Sequence, residues 1–334
     1  MISMRTYAEA GVDVAAVRRM QRYINWLIRR TRTSASHPLL GHYAGLFRCG
    51  GRTLALHTDG VGTKVLVAQH VGRYDTIGID AVAMNVNDIA CVGARPLALV
   101  DYIALQREDF GLVKQLMRGL VKGAREAGTA IVGGETAVMG DVIRGLPGRT
   151  GFDLAATAVG VADEVITGAA MRPGDALIGL ASAGIHSNGL TLARRVLDLE
   201  EWGRELLRPT RIYARPVARL LAECSVRGLA HITGGAFSKL ARIGRQAGVG
   251  FVLDGMPEPP QLFEAIRSAS GADDREMHRT FNMGVGMVAV VPKNEAEEAV
   301  RACKKSGVRA SVIGSVARGR EIILVKKGKR IRLD

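Results

Sequence analysis

Apolar runs broken by glycine-rich turns divide the chain into short segments of two kinds. Compact β-favouring runs predict strands near 53–57, 97–104, 129–133 and 152–161. Longer stretches with helical spacing predict helices near 77–92 and 109–127, the second capped by Asp109 and stopped at Gly128. Upstream, Val14, Val17, Ile24, Leu27 and Ile28 predict the apolar stripe of a helix that Asp13 caps and that runs to about Arg32. Gly41-His42-Tyr43-Ala44-Gly45-Leu46-Phe47 then reads as a mobile loop. Around Met171-Arg172-Pro173-Gly174-Asp175 the pattern resets, and Ala176-Leu177-Ile178-Gly179-Leu180 starts a second half. There, helices near 187–199, 212–224, 236–246, 260–269 and 294–306 accompany strands at 249–254, 285–291, 308–316 and 321–326. The alternation predicts an α/β (α+β) chain of two domains, 1–167 and 168–334.

Candidate chemistry gathers where predicted strands end. Thr58-Asp59-Gly60-Val61-Gly62-Thr63-Lys64 places a carboxylate, two glycines and an amine in one tight turn. Asp59 offers oxygen to a hard cation, Gly60 and Gly62 let backbone N–H groups approach phosphate, and Lys64 adds a compact positive charge. The spacing is not that of a Walker A loop. On the predicted helix near 77–92, Asn85 and Asp88 are three apart and share a face, with Asp80 as a further acid. Ile131-Val132-Gly133-Gly134-Glu135-Thr136 puts another acid straight after two glycines. Each segment also has a bland reading, as a turn with a surface acid or an Asx-rich helix end. Their recurrence points to a magnesium-nucleotide site. In the second half, His186 sits before Ser187-Asn188-Gly189 at a predicted helix N-terminus, whose free N–H groups suit phosphate. His231 precedes Thr233-Gly234-Gly235, a similar turn. Both histidines can equally be satisfied by backbone.

Composition narrows the function classes. No apolar run approaches the roughly 18 residues of a membrane span, and the N-terminus lacks a signal-peptide pattern. Cys49, Cys91, Cys224 and Cys303 show no paired spacing, so reduced thiols in a cytoplasmic protein are expected. The net charge of +14 raises nucleic acid as a partner, yet aromatic residues make up only 4% and no nucleic-acid-binding motif occurs. A solvated basic surface with some attraction for phosphorylated small molecules is the expectation.

Taken in order, these segments resemble the phosphoribosylformylglycinamidine cyclo-ligase (aminoimidazole ribonucleotide synthetase) family over about residues 7 to 316. The resemblance also rests on Tyr7-Ala8-Glu9-Ala10-Gly11-Val12-Asp13, Gly93-Ala94-Arg95-Pro96-Leu97, Pro209-Thr210-Arg211-Ile212-Tyr213 and Phe281-Asn282-Met283-Gly284-Val285-Gly286-Met287. It implies ATP-dependent ring closure of formylglycinamidine ribonucleotide in purine biosynthesis, with ATP and Mg2+. It further implies a homodimer whose N-terminal strands close a barrel across two subunits, beneath a C-terminal α/β domain. On that basis Asp59, Asp88 and Glu135 form the metal-phosphate shell, Lys64 contacts phosphate and His186 moves a proton during ring closure. Gly60, Gly62, Thr63, Asn85, Gly133, Gly134, Thr136, Ser187, Asn188, Thr233, Gly234 and Gly235 complete the ATP and phosphate contacts. Departures are Asn25, where many members have lysine, and Val138-Met139-Gly140-Asp141, where many read Glu-Met-Pro-Gly. The alternatives are a non-catalytic nucleotide-binding paralogue and another ATP-using enzyme of the same superfamily.

Overall fold

A computed structural model describes residues 9, 11, 14–38 and 41–334. Asp13, expected to cap the first helix, lies outside them. The chain builds two sheets in succession. The first has five strands: β1 (Gly45–Cys49), β2 (Arg52–Gly60), β3 (Arg95–Leu105), β4 (Ala130–Val138) and β5 (Phe152–Ala162), in the order β1-β2-β5-β3-β4. The second has seven: β6 (Ala176–Ala181), β7 (Gly228–His231), β8 (Gly250–Leu253), β9 (Val285–Val291), β10 (Ala310–Ala317), β11 (Ile322–Lys326) and β12 (Lys329–Arg332), in the order β12-β11-β8-β10-β6-β9-β7.

In the first half, helix α1 (Val14–Ile28) is followed by α2 (Lys64–Val71), α3 (Asp75–Ala90) and α4 (Phe110–Ala127). Helix α3 lies over one face of the first sheet, and every residue from Thr76 to Ala90 is buried. That is why it reads as continuously apolar rather than amphipathic. Helix α4 covers it in turn, and the two approach closely because glycines face each other at the crossing. A Cβ on Gly78 would run into the Leu116 carbonyl, and one on Gly119 into the Asp75 carbonyl. Asp109 caps α4 by accepting from the Leu112 amide at 2.9 Å, and Gly128 ends it in the left-handed conformation, as expected. The second sheet carries α5 (Leu190–Val196), α6 (Leu199–Leu206), α7 (Ala214–Glu223), α8 (Leu240–Ala247), α9 (Gln261–Ser270), α10 (Asp274–Thr280) and α11 (Ala296–Lys305).

Several expectations change. The segment expected to be a mobile loop is ordered: Tyr43 and Ala44 are buried and Gly45 opens β1, paired with β2 from Gly45↔Leu56 to Cys49↔Arg52. The helix expected over 187–199 is shortened to α5, because Leu197 is extended, and Asp198 then caps α6, which the sequence pattern did not predict. Val17, Ile24, Leu27 and Ile28 of α1 stay exposed. All four cysteines are free. No helix among the described residues is long and apolar enough to cross a membrane.

Candidate functional site

Asp59 is the penultimate residue of β2, and register fixes which way it points. It lies opposite Ala156 of β5, which lies opposite Asp101 of β3 and, beyond it, Gly134 of β4. Side chains in one such row share a face. His57, two residues back on the same face, bonds Asn85 of α3 at 3.1 Å, so this face looks onto α3. Asp59 is part-buried; one oxygen accepts from the Gly60 amide at 2.9 Å, and burial raises its carboxyl above the ordinary value against the opposing pull of His57.

Two buried networks extend from α3 into the second half of the chain. In the first, Asp88 lies between two imidazoles, His57 Nε2 at 3.3 Å and His231 Nδ1 at 2.7 Å. Burial alone would raise its pKa; the hydrogen bonds from His231 and His57 outweigh burial and hold it well below the usual carboxylate range. His57 responds in kind: burial would lower it, but Asp88 raises it. Asn87 extends this network to the Arg211 carbonyl at 2.9 Å and the Tyr213 amide at 2.8 Å. In the second, Asp80 receives Lys64 Nζ at 2.8 Å, the Thr210 amide and hydroxyl at 2.6 Å each, and the Ser187 hydroxyl at 3.0 Å.

These networks revise several expected roles. Lys64 is wholly buried, with its ammonium ion-paired to Asp80 and donating to one Asp80 oxygen and to the Arg208 carbonyl, at 2.7 Å, so it is withdrawn from any phosphate in solvent. Asn85 is likewise buried, donating to the Ala81 and Asp59 carbonyls. Asp88 is buried with each oxygen engaged by a histidine. His186 is fully buried in the left-handed region at φ 64°, with Nε2 accepting from the Ala183 amide at 3.1 Å and facing the Arg211 amide at 3.4 Å. Burial drives its pKa well below the ordinary value, so it is neutral and ties two turns together.

Glu135 is the largest departure. It was expected at a strand end, but β4 continues to Val138. Glu135 pairs with Tyr102, Tyr102 with Ala155 and Ala155 with Gly60, one row on from Asp59 and therefore on the opposite face. Three strand spacings, roughly 14 Å, also separate β2 from β4. Glu135, Gly133, Gly134 and Thr136 are exposed on this edge strand, so one protomer does not bring them to Asp59. Gly134 is needed there because a Cβ would lie 2.6 Å from an Asp101 carboxylate oxygen. Among the described residues no group of three His, Cys, Asp or Glu is placed to hold a metal ion.

What the fold does bring together near Asp59 is three turns, linked through Lys239 and Asn188, and the space between them is the candidate cleft. Gly60, Gly62 and Thr63 form one wall, with Gly62 exposed at φ 61° and Thr63 bonded to Thr191 of α5 at 3.1 Å. Ser187 and Asn188 form a second. Thr233, Gly234 and Gly235 form a third, and Asn188 borders it: a Cβ on Gly234 would sit 3.2 Å from its side-chain oxygen. Sequence reasoning missed Lys239, whose ammonium bonds the Thr233 hydroxyl and whose charge acts on both Asp88 and Asp59. It also missed His57 as a partner of Asp88. Nothing in the spacing marks Lys239, which reaches the turn by way of a short 3-10 segment, Ala236–Lys239.

Comparison with known proteins agrees with this architecture. Residues 41–162 match the family described as AIR synthase related protein, N-terminal domain, and residues 172–327 match its C-terminal domain. The chain is 51% identical over 316 residues to a phosphoribosylformylglycinamidine cyclo-ligase of Thermococcus kodakarensis, covering 89% of this chain and 91% of the relative. It is 47% identical to one of Methanothermobacter thermautotrophicus, covering 96% and 97%. Among solved structures, AaThiL complexed with AMPPCP and TMP superposes with a TM-score of 0.67 at 16% identity, over 92% of this chain and 93% of that one. At that identity the likeness is one of fold.

Proposed function

The chain belongs to the phosphoribosylformylglycinamidine cyclo-ligase family, and from that premise we propose that it closes formylglycinamidine ribonucleotide to aminoimidazole ribonucleotide, releasing ADP and phosphate. The observation that carries this reading is identity near 50% to cyclo-ligases along almost the whole chain, with Asp59 set beside Gly60 and Gly62 at the end of β2. An amide oxygen is a poor leaving group. Transfer of the γ-phosphoryl group of ATP to that oxygen gives an iminophosphate and ADP; the amidine nitrogen then attacks the carbon, and the C–O bond breaks with phosphate leaving. Catalysis is then mainly alignment of two anionic molecules and neutralisation of charge on the transferred group.

Asp59 is the residue that fits a magnesium ion. One of its oxygens accepts from the Gly60 amide, which leaves the other without a hydrogen-bond partner among the described residues. A single carboxylate suits Mg2+, which keeps its waters and takes further ligands from phosphate. When bound, the ion would neutralise phosphate oxygens. Gly60, Gly62, Gly234 and Gly235 let the substrates approach the backbone, and Ser187 is held by the Asp80 network. His186 serves here as a positioning residue for its turn, not as a proton carrier.

We assign the working form to a homodimer in the cytoplasm. The face of the first sheet turned away from α3 exposes Leu56, Leu97, Val100 and Tyr102, each between 39% and 45% accessible. An open apolar sheet face beside an unpaired edge strand favours closure against a second copy. Glu135 lies on that face, so a partner would bring it into a new setting.

The test is ADP release in a coupled assay with and without formylglycinamidine ribonucleotide. Release that depends on the ribonucleotide is expected. ATP binding without release would make the chain a nucleotide-binding paralogue, and release stimulated only by another acceptor would make it a different enzyme of the superfamily.

A further inference from the structure

An accounting of donors separates the two lysines near the cleft. Lys64 gives all its hydrogen bonds to Asp80 and the Arg208 carbonyl. Lys239 is part-buried and gives one, to the Thr233 hydroxyl. It makes no ion pair among the described residues, although Asp59 and Asp88 both feel its charge. The Tyr43 ring lies 5.8 Å away and attracts the cation without accepting its remaining N–H groups. An ammonium withdrawn from water with donors unspent is costly unless an anion completes it.

A second donor waits at the same turn. The side-chain amide nitrogen of Asn188 is buried with no hydrogen-bond partner, although its oxygen borders Gly234. Thr233-Gly234-Gly235 is thus flanked by an ammonium that makes a single hydrogen bond among the described residues and by an amide nitrogen that makes none. Gly234 is exposed, so the turn opens to solvent. Arg242, one helical turn beyond Lys239, does not compete for the role: it lies over Tyr43 at 4.9 Å, with an N–H turned to the His42 carbonyl.

We propose that Lys239 is the phosphate-binding cation of this cleft, acting across the Thr233–Gly235 turn with Asn188. The proposal deepens the cyclo-ligase reading and rests on it for the identity of the anion. A phosphoryl group is the shared chemistry of two sources, the phosphate chain of ATP and the 5′-phosphate of the ribonucleotide. Lys239 contributes charge that the carboxylates of the site otherwise oppose, since Asp59 alone would repel either phosphate.

The experiment measures ADP release by wild type, Lys239→Met and Lys239→Arg, varying each substrate in turn. Titration calorimetry with ATP and with the ribonucleotide separately follows binding in the absence of turnover. Lys239→Met should lower kcat/KM by about 10- to 100-fold, the range of one hydrogen bond to a charged group. The loss should fall mainly on the substrate whose phosphate it holds, with matching loss of affinity for that substrate alone. Lys239→Arg should recover much of it, and both variants should melt no lower than wild type. Lys239→Met with wild-type constants for both substrates overturns the proposal. So does an equal loss in Lys239→Arg accompanied by a lower melting temperature, which marks a packing role. Failure of wild type to turn over counts against the cyclo-ligase reading instead, and the calorimetric comparison still decides whether Lys239 binds phosphate.

Discussion

Asp59 and Lys64 sit five residues apart in one motif, yet the fold assigns them opposite duties. Asp59 carries a part-buried charge without an ion-pair partner among the described residues. Its raised pKa means that the charged form is disfavoured by folding, so its stabilising contribution exists only below the unfolded value and is lost as pH rises through the folded one. Asp59→Asn should therefore abolish most turnover, by about 100- to 1000-fold in kcat as for a lost transition-state contact. Its melting temperature at neutral pH should equal or exceed that of wild type. Near-normal ADP production by the folded variant would remove Asp59 from the site. Lys64→Met should do the reverse, destabilising the fold by about 3–5 kcal/mol because Asp80 is left charged and buried. Adding Asp80→Asn should restore part of that loss in denaturant titrations, since the amide oxygen still accepts from Thr210. The motif's chemistry was legible from residue types alone. Which member faces the cleft was not, because the partners of Lys64 are Asp80, on the next helix, and Arg208, in the other half of the chain.

Elements were more legible than roles. The alternation of strand and helix, the Asp109 cap and the Gly128 stop all follow from local chemistry and appear in the structure. β1 was not legible, because five residues beside glycines carry little periodicity and take their strand character from pairing with β2. Glu135 shows the other limit: sequence shows an acid near glycines, but only register decides the face, and one residue of offset reverses it. The crossing of α3 over α4 depends on having no side chain at Gly78 and Gly119. Gly119→Ala should destabilise by roughly 3 kcal/mol, at the upper end for overpacking, because the obstacle is helix backbone and not a movable side chain. Thermal unfolding checks this, and a melting temperature unchanged from wild type would mean that the helices separate without cost.

At the scale of the whole molecule, the open face of the first sheet predicts assembly. Val100→Asp should place a charge in the apolar face and shift sedimentation toward the monomer mass of 35.6 kDa, with activity falling in the same fractions. A fully active wild-type monomer would sink both the barrel and any contribution of Glu135 from a partner. The resemblance in the sequence implied that dimer; hydrophobic pattern alone led only to two α/β units. Within one protomer those units are not independent. Many of the polar contacts that join them lie on α3, where Asp80, Asn87 and Asp88 hold Thr210, Ser187, Arg211, Tyr213 and His231. Melting either half would leave buried polar groups of the other without their hydrogen-bond partners. Scanning calorimetry should consequently record one endotherm whose van't Hoff and calorimetric enthalpies agree per cooperative unit. The chain is two domains to the eye and one to heat.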